Sequence, residues 1–251
     1  MGSHLAIQVA TDGLHCVVSK NGTYSTSCSF SFNSSDDSSI RDQITSEFQA
    51  QGYFTTDFDD VSLSWSSNKT TLIPNAVFSE SSPQALFEFC FGPSEFSIDY
   101  NRISELGLVN VYEIPDWVKR FFVMKFPRVT LQHEGSVLLR NVMSENSFKL
   151  KLTIVIYNSS FLLIISKHSE PIFYSTFDYQ SHDDVLYHVT FVLQQKELLN
   201  EKGHIDLVTG IGSLKDVQTK FAENAKRIKE LALFEINHPD NYITKAHQLC
   251  V

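Results

Sequence analysis

What most constrains the fold of this chain is an order of elements that occurs twice: three strands in a meander, then helix, strand, helix, strand. In the first half Leu5 to Ala10 reads as a strand, Asp12-Gly13 as a turn and Leu14 to Ser19 as the returning strand. Asn21-Gly22 suits the two left-handed positions of a type I′ turn, and Tyr24 to Phe32 makes the third strand. Ile40, Ile44 and Phe48 then recur at helical spacing up to Gly52, and Asp60 to Trp65 alternates as a fourth strand. Leu72-Ile-Pro74 is a short extended piece. A helix from Ser82-Pro83 is expected to turn Leu86, Phe89 and Cys90 inward, and Gly107 to Glu113 supplies a further strand.

The helix from Pro115 to Phe126 carries so many apolar residues that hardly any face is left for water, so it is expected to be enclosed. Trp117, Phe121 and Phe122 are its candidate partner surface. Val129 to Gln132 reads as extended and Gly135 to Met143 as a connecting helix. The polar patch Ser144 to Ser147 follows, which places the boundary between a first lobe, 1–145, and a second, 146–251.

In the second half Phe148 to Tyr157, Ser160 to Lys167 and Ile172 to Tyr179 form another meander. Ser181 and Asp184 make a capping box before the apolar stripe Val185, Leu186, Val189, Val192 and Leu193. His204 to Val208 is a short strand. Gly210-Ile-Gly212 then leads into a helix that starts around Ser213 and Asp216 and turns Leu214, Val217, Phe221, Ala225 and Ile228 inward. Leu231 to Ile236 closes the sheet, and Pro239 to Val251 reads as a terminal helix. Strands joined through a helix crossover run parallel, so each half predicts a mixed sheet with helices on both faces, an α/β fold. The repeat lies in the order of elements, not in residue identity.

Composition removes several classes of function. With 29 acidic and 20 basic residues the formal charge is −9, which opposes attraction to nucleic acid and to anionic lipid surfaces. The longest purely apolar run, Phe161 to Ile165, is far too short to span a bilayer, and the start of the chain has neither a basic region nor a long apolar stretch, so neither membrane insertion nor export is expected. Cys16, Cys28, Cys90 and Cys250 form no Cys-x-x-Cys pair, which excludes a zinc knuckle or redox motif and suits a reduced, cytoplasmic protein. No metal site and no catalytic residue is assigned. His133-Glu134 and His182-Asp183-Asp184 are adjacent residues that point apart, and both read as solvated helix starts. Gly210-x-Gly212 is not completed to a dinucleotide fingerprint because Lys215 stands at the third glycine position.

Two consecutive lobes of this order resemble the fold shared by actin, the 70-kDa heat-shock chaperones and hexokinase-type sugar kinases, whose halves are ribonuclease H-like. More narrowly, Leu5 to Gly13, Leu72-Ile-Pro74, Leu186-Tyr187-His188 and Ile205 to Gly210 resemble an uncharacterised bacterial family of actin-like-fold proteins of unknown function. The resemblance implies an actin-like ATPase superfold with a nucleotide-like cleft between ribonuclease H-like lobes. It also implies ATP with magnesium as the cofactor such a cleft would take.

In nucleotide-binding members each lobe's first hairpin turn approaches phosphate, with Asp holding metal or its water and Gly admitting backbone amides. Here Asp12 and Gly13 keep that pair, but Leu14 and His15 replace the small residues that usually follow. The matching turn of the second lobe is Asn158-Ser159, without carboxylate or glycine, while Gly210, Gly212 and Ser213 look like the adenosine-contacting loop. A ribonuclease H-like nuclease would need several converging carboxylates, and Asp12 is the one at a strand end. The expectation is a catalytically degenerate binding or scaffold module that takes a protein partner. The alternative is an atypical nucleotide-binding ATPase or small-molecule kinase.

Overall fold

Two meanders open two separate sheets in the computed structural model, which describes residues 2–145, 147–213 and 215–249. Met1, Asn146 in the boundary patch, Leu214 at the predicted helix start, and Cys250 and Val251 at the predicted last helix lie outside the described residues. The chain divides into two units, residues 1–137 with 243–251, and residues 138–242.

In unit one, β1 (Ser3–Val9), β2 (Gly13–Lys20) and β3 (Thr23–Ser31) pair antiparallel. Asn21 and Gly22 have φ of 52° and 79°, the two left-handed positions a type I′ turn requires. Helix α1 (Asp37–Ala50) is capped by Asp36, whose carboxylate accepts from Ser39 N at 2.9 Å. It crosses to β4 (Asp60–Trp65), which pairs parallel with β1. Later in the chain β8 (Thr130–His133) adds parallel to β4, giving the order β3-β2-β1-β4-β8.

Between β4 and β8 lies an inserted antiparallel sheet of order β5-β7-β6, made of β5 (Thr70–Pro74), β6 (Ser97–Ile103) and β7 (Leu108–Ile114). Its helix α2 (Pro83–Phe91) buries Phe87 against Ile73, Val109 and Val111. This corrects the expectation for that helix: Phe89 and Cys90 are exposed, and Leu86 is half-buried. Phe87 and Phe89 are two residues apart, which on a helix sends them to opposite sides. Strand β6 was not anticipated.

Helix α3 (Asp116–Lys125) follows, and α4 (Glu134–Ser144) starts directly after β8. His133 and Glu134 are buried, where solvated residues were expected, because the start of α4 is inside the unit. His133 accepts from Gly135 N at 3.0 Å through Nδ1, and burial pushes its pKa down to about 4.

Unit two repeats the plan. Strands β9 (Leu150–Ile156), β10 (Ser160–Lys167) and β11 (Glu170–Asp178) form the meander. Helix α5 (His182–Gln195) leads to β12 (Gly203–Thr209), and α6 (Lys215–Ala225) to β13 (Phe234–Asn237). The order β11-β10-β9-β12-β13 mirrors that of unit one, with β12 parallel to both β9 and β13. The capping carboxylate of Asp184 accepts from Ser181 N at 2.9 Å, as the sequence pattern requires. Helix α7 (Tyr242–His247) ends the described chain.

The units exchange chain at Val137–Leu138, inside α4, and at Tyr242–Ile243, inside α7. The sequence reading put a single boundary in the polar patch at 145/146; a continuous helix carries the first crossing, so no loop marks it.

Each five-stranded sheet is apolar on one face, while the other mixes buried polar groups with apolar ones such as Val17 in unit one and Val155, Leu162, Ile164 and Val208 in unit two. In unit one Leu5, Ile7, Val9, Leu63 and Trp65 pack with Ile44 and Phe48 of α1 and with Val118 and Phe122 of α3. On the opposite face His4 Nε2 and Ser62 Oγ share a hydrogen bond of 2.8 Å. His247 bridges Ser62 at 2.7 Å and Ser64 at 3.0 Å. In unit two Leu152, Ile154 and Leu163 pack with Val189 and Phe221. On the other face Lys151 Nζ pairs with Asp206 at 2.6 Å and with Glu145, and Asn237 donates to Asp206 at 3.3 Å. No described helix is long and apolar enough to cross a membrane.

Candidate functional site

In unit one the β1–β2 turn is closed by Ala10 N donating to Gly13 O at 2.9 Å and by Phe32 N donating to Asp12 O at 2.9 Å. Asp12 is half-buried, and its carboxylate has no hydrogen bond or ion pair to any described residue. Gly13 is already the first residue of β2, and Leu14 beside it points into the core. His15 is half-buried, and desolvation lowers its pKa. The loop therefore has one carboxylate at its tip, but Leu14 commits the next position to packing.

Unit two brings its two candidate loops together at the same end of the sheet, because β9 and β12 are paired parallel neighbours. The turn after β9 is closed by Tyr157 N donating to Ser160 O at 2.9 Å and by Tyr179 N donating to Ser159 O at 3.0 Å. Asn158 and Ser159 are exposed at its tip. Tyr179 Oη donates to Tyr157 O at 2.5 Å and so fixes that turn from below. Gly210 N donates to Ile156 O at 2.8 Å, which docks the second loop onto the end of β9.

Gly210 is buried, and its open side is occupied by the chain itself. A Cβ there would lie 2.4 Å from Tyr157 Cδ1 and 2.9 Å from Ile156 O. The requirement for glycine at this position is close packing by an aromatic ring. Gly212 is exposed with φ of 70°, and Ser213 N donates to Gly210 O at 3.3 Å. Gln218, in the first turns of α6, spans the loop: its Nε2 lies 3.4 Å from Val208 O, 3.1 Å from Thr209 Oγ1 and 3.2 Å from Ser213 Oγ. The two hydroxyls of the loop, on Thr209 and Ser213, are thus engaged by the unit's own side chain. Neither Gln218 nor Tyr157 carries a motif that sequence reasoning recognises; a helix-start glutamine after a glycine loop is the only trace.

The third candidate group separates. Phe121 and Phe122 belong to unit one's core, where Phe122 is fully buried and meets Phe48 with ring centroids 6.4 Å apart, while Phe121 keeps only an edge at a surface hollow. Trp117 is half-buried, and the exposed apolar residues of α3 are instead Val123 and Met124. The helix is therefore amphipathic, not enclosed. Among the described residues no group of three or more His, Cys, Asp or Glu side chains converges to hold a metal ion.

A family model described as protein of unknown function (DUF3822) matches residues 2–226. No curated protein matches the chain in sequence. Among solved structures, a Bacteroides thetaiotaomicron protein with actin-like ATPase fold and unknown function is similar at 17% identity and TM-score 0.83, over 99% of this chain and 96% of its own. A chain of the PilM–PilN type IV pilus biogenesis complex is similar at 12% identity and TM-score 0.61, over 98% and 97%. The ethanolamine utilization protein EutJ from Carboxydothermus hydrogenoformans is similar at 10% identity and TM-score 0.50, over 99% and 90%. The fold is that of the actin-like ATPases, and the two five-stranded sheets of matching order accord with it.

Proposed function

Because this chain belongs to the DUF3822 family of proteins of unknown function and has an actin-like ATPase fold, we propose that it is a catalytically degenerate binding or scaffold module of that fold. One observation carries the reading: the Tyr157 ring fills the open side of Gly210, the position with which a nucleotide-binding loop would meet its ligand. Gln218 engages Thr209 Oγ1 and Ser213 Oγ on the loop, and the adjoining turn ends in Asn158-Ser159 with no carboxylate. Fold alone does not specify chemistry, so the site has to carry the argument. The PilM–PilN neighbour is part of a protein assembly, which supports a partner-holding role for a chain of this shape. Free thiols at Cys16, Cys28 and Cys90 suit a reducing, cytoplasmic setting.

A second reading is favoured by the unpartnered carboxylate of Asp12, which could hold a magnesium-bound water in an atypical ATPase or small-molecule kinase. Calorimetric titration with Mg-ATP and Mg-ADP separates the two. The scaffold reading expects no saturable heat, and steady hydrolysis abolished by Asp12→Ala would overturn it.

A further inference from the structure

Three exposed apolar residues of unit one stand where α3, the start of α1 and the inserted sheet meet. Phe96 is 46% exposed, Val123 50% and Met124 73%. Isolated exposed apolar side chains need no explanation, but a concave group of them does. Two adjoining hollows share Asp37, Asp116 and Trp117 as lining, one of about 490 Å³ and one of about 560 Å³. In the first the apolar lining is Phe96, Pro115 and Trp117; in the second it continues along Phe121, Val123 and Met124.

Charge gives this groove a direction. The first hollow is lined by three carboxylates, Asp37, Glu95 and Asp116, and by no basic residue. The second adds Arg41 and Arg120: Arg120 pairs with Asp116 Oδ2 at 3.5 Å, while Arg41 Nε donates to the backbone Asp37 O at 3.1 Å and its charge has no carboxylate partner among the described residues. Asp116 also accepts from Ser97 Oγ. The carboxylates of Asp37 and Glu95 have no hydrogen bond or ion pair to any described residue. The excess of negative charge therefore belongs to the first hollow, where it sits beside an indole ring, an arrangement that favours a cation through both charge and the ring face, while the second hollow is balanced in charge.

We propose that this groove docks a peptide segment of a partner protein, with a Lys or Arg side chain between Asp37 and Glu95 over Trp117 and an apolar side chain against Val123 and Met124. The proposal rests on the binding-module reading and specifies its partner. A segment with a basic residue near an apolar residue would meet both hollows, since they adjoin at the starts of α1 and α3.

The test is selection of a random 12-residue display library on the full chain, followed by titration of one enriched, dye-labelled peptide with its fluorescence anisotropy as readout. Trp117 lines the groove while Trp65 is buried in the core. Enriched sequences should pair a basic residue with an apolar one, and Trp117→Ala should weaken the peptide about 10-fold or more, as loss of a central aromatic contact does. Asp37→Asn with Glu95→Gln, both at exposed positions, should weaken it several-fold and reduce its salt dependence, so the test survives if Trp117→Ala fails to fold. No enrichment, enrichment of acidic sequences, or undiminished binding by the charge variant would overturn the groove assignment. Self-association abolished by the same variants would assign the groove to a second copy and likewise overturn it. ATP hydrolysis by the same preparation would instead count against the binding-module reading while leaving a positive peptide result in place.

Discussion

The ring of Tyr157 stands where a side chain at residue 210 would have to be, with Cδ1 2.4 Å from the Cβ that Gly210 lacks. This contact joins the end of β9 to the loop after β12, and it explains a glycine that the sequence pattern alone would assign to a ligand. Gly210→Ala is expected to destabilise the protein by about 1–3 kcal/mol through overpacking. The same change on a Tyr157→Ala background should cost less, although Ile156 O at 2.9 Å keeps part of the clash. Urea unfolding of the four proteins measures this; equal costs in both backgrounds would remove the ring from the explanation.

Acid should weaken unit one before its carboxylates titrate. Burial, with His4 and His15 nearby, pushes His247 down to about 3, and burial pushes His133 down to about 4, against an ordinary value of 6.5. Both are held neutral in the fold and gain protons more readily when unfolded. Their contribution to stability is complete above 6.5 and is lost as pH falls from there toward those lowered values. Urea midpoints measured from about pH 7.5 down to about pH 4.5 should fall steadily, since unfolded histidine titrates near 6.5. A flat profile over that range would contradict the buried, neutral assignment.

Lys151 is buried on the polar face of unit two between Glu145 and Asp206, with Tyr242 Oη 3.5 Å from its Nζ. Burial alone would lower its pKa, but Tyr242, Asp206 and Glu145 together raise it, so it stays charged. Lys151→Met removes one partner and leaves Asp206 buried without its cation, an expected loss of about 3–5 kcal/mol. Lys151→Met with Asp206→Leu should recover much of that loss. A double variant as unstable as the single one would show that packing, not charge, sets the cost.

Much of the fold was legible in local pattern. Asp60–Trp65 and Ser160–Lys167 are strands at the bounds that their alternation and turns imply, and Asn21-Gly22 adopts the turn its residues demand. The failures have a common cause in tertiary context. Strand β6 mixes Asp99 and Asn101 with Tyr100 and Ile98, and only its pairing with β7 defines it. Phe87, Phe89 and Phe91 recur every second residue in a helix, a spacing that cannot say which one faces inward. At the candidate site Asp12, Asn158 and Gly210 were visible as turn and loop residues. The hold of Tyr157 and Gln218 on the loop was not, because each acts across the fold on atoms remote in sequence.

Two of the three phenylalanines of α2 give a direct check on that reading. Phe87→Ala should cost about 3–5 kcal/mol as a buried aromatic deletion, whereas Phe89→Ala should stay within about 0.5 kcal/mol. Thermal unfolding in parallel distinguishes them, and comparable losses would reverse the inward face assigned to the helix.

The central claim is that a fold shared with actin-like ATPases here serves binding without catalysis. Isothermal calorimetry with millimolar Mg-ATP, run beside a phosphate-release assay, tests it most directly. The account predicts no saturable heat and no release above the buffer rate, since Gly210 is covered by Tyr157 and the turn at Asn158 lacks a carboxylate. Stoichiometric binding with steady phosphate release that disappears in Asp12→Ala would contradict it.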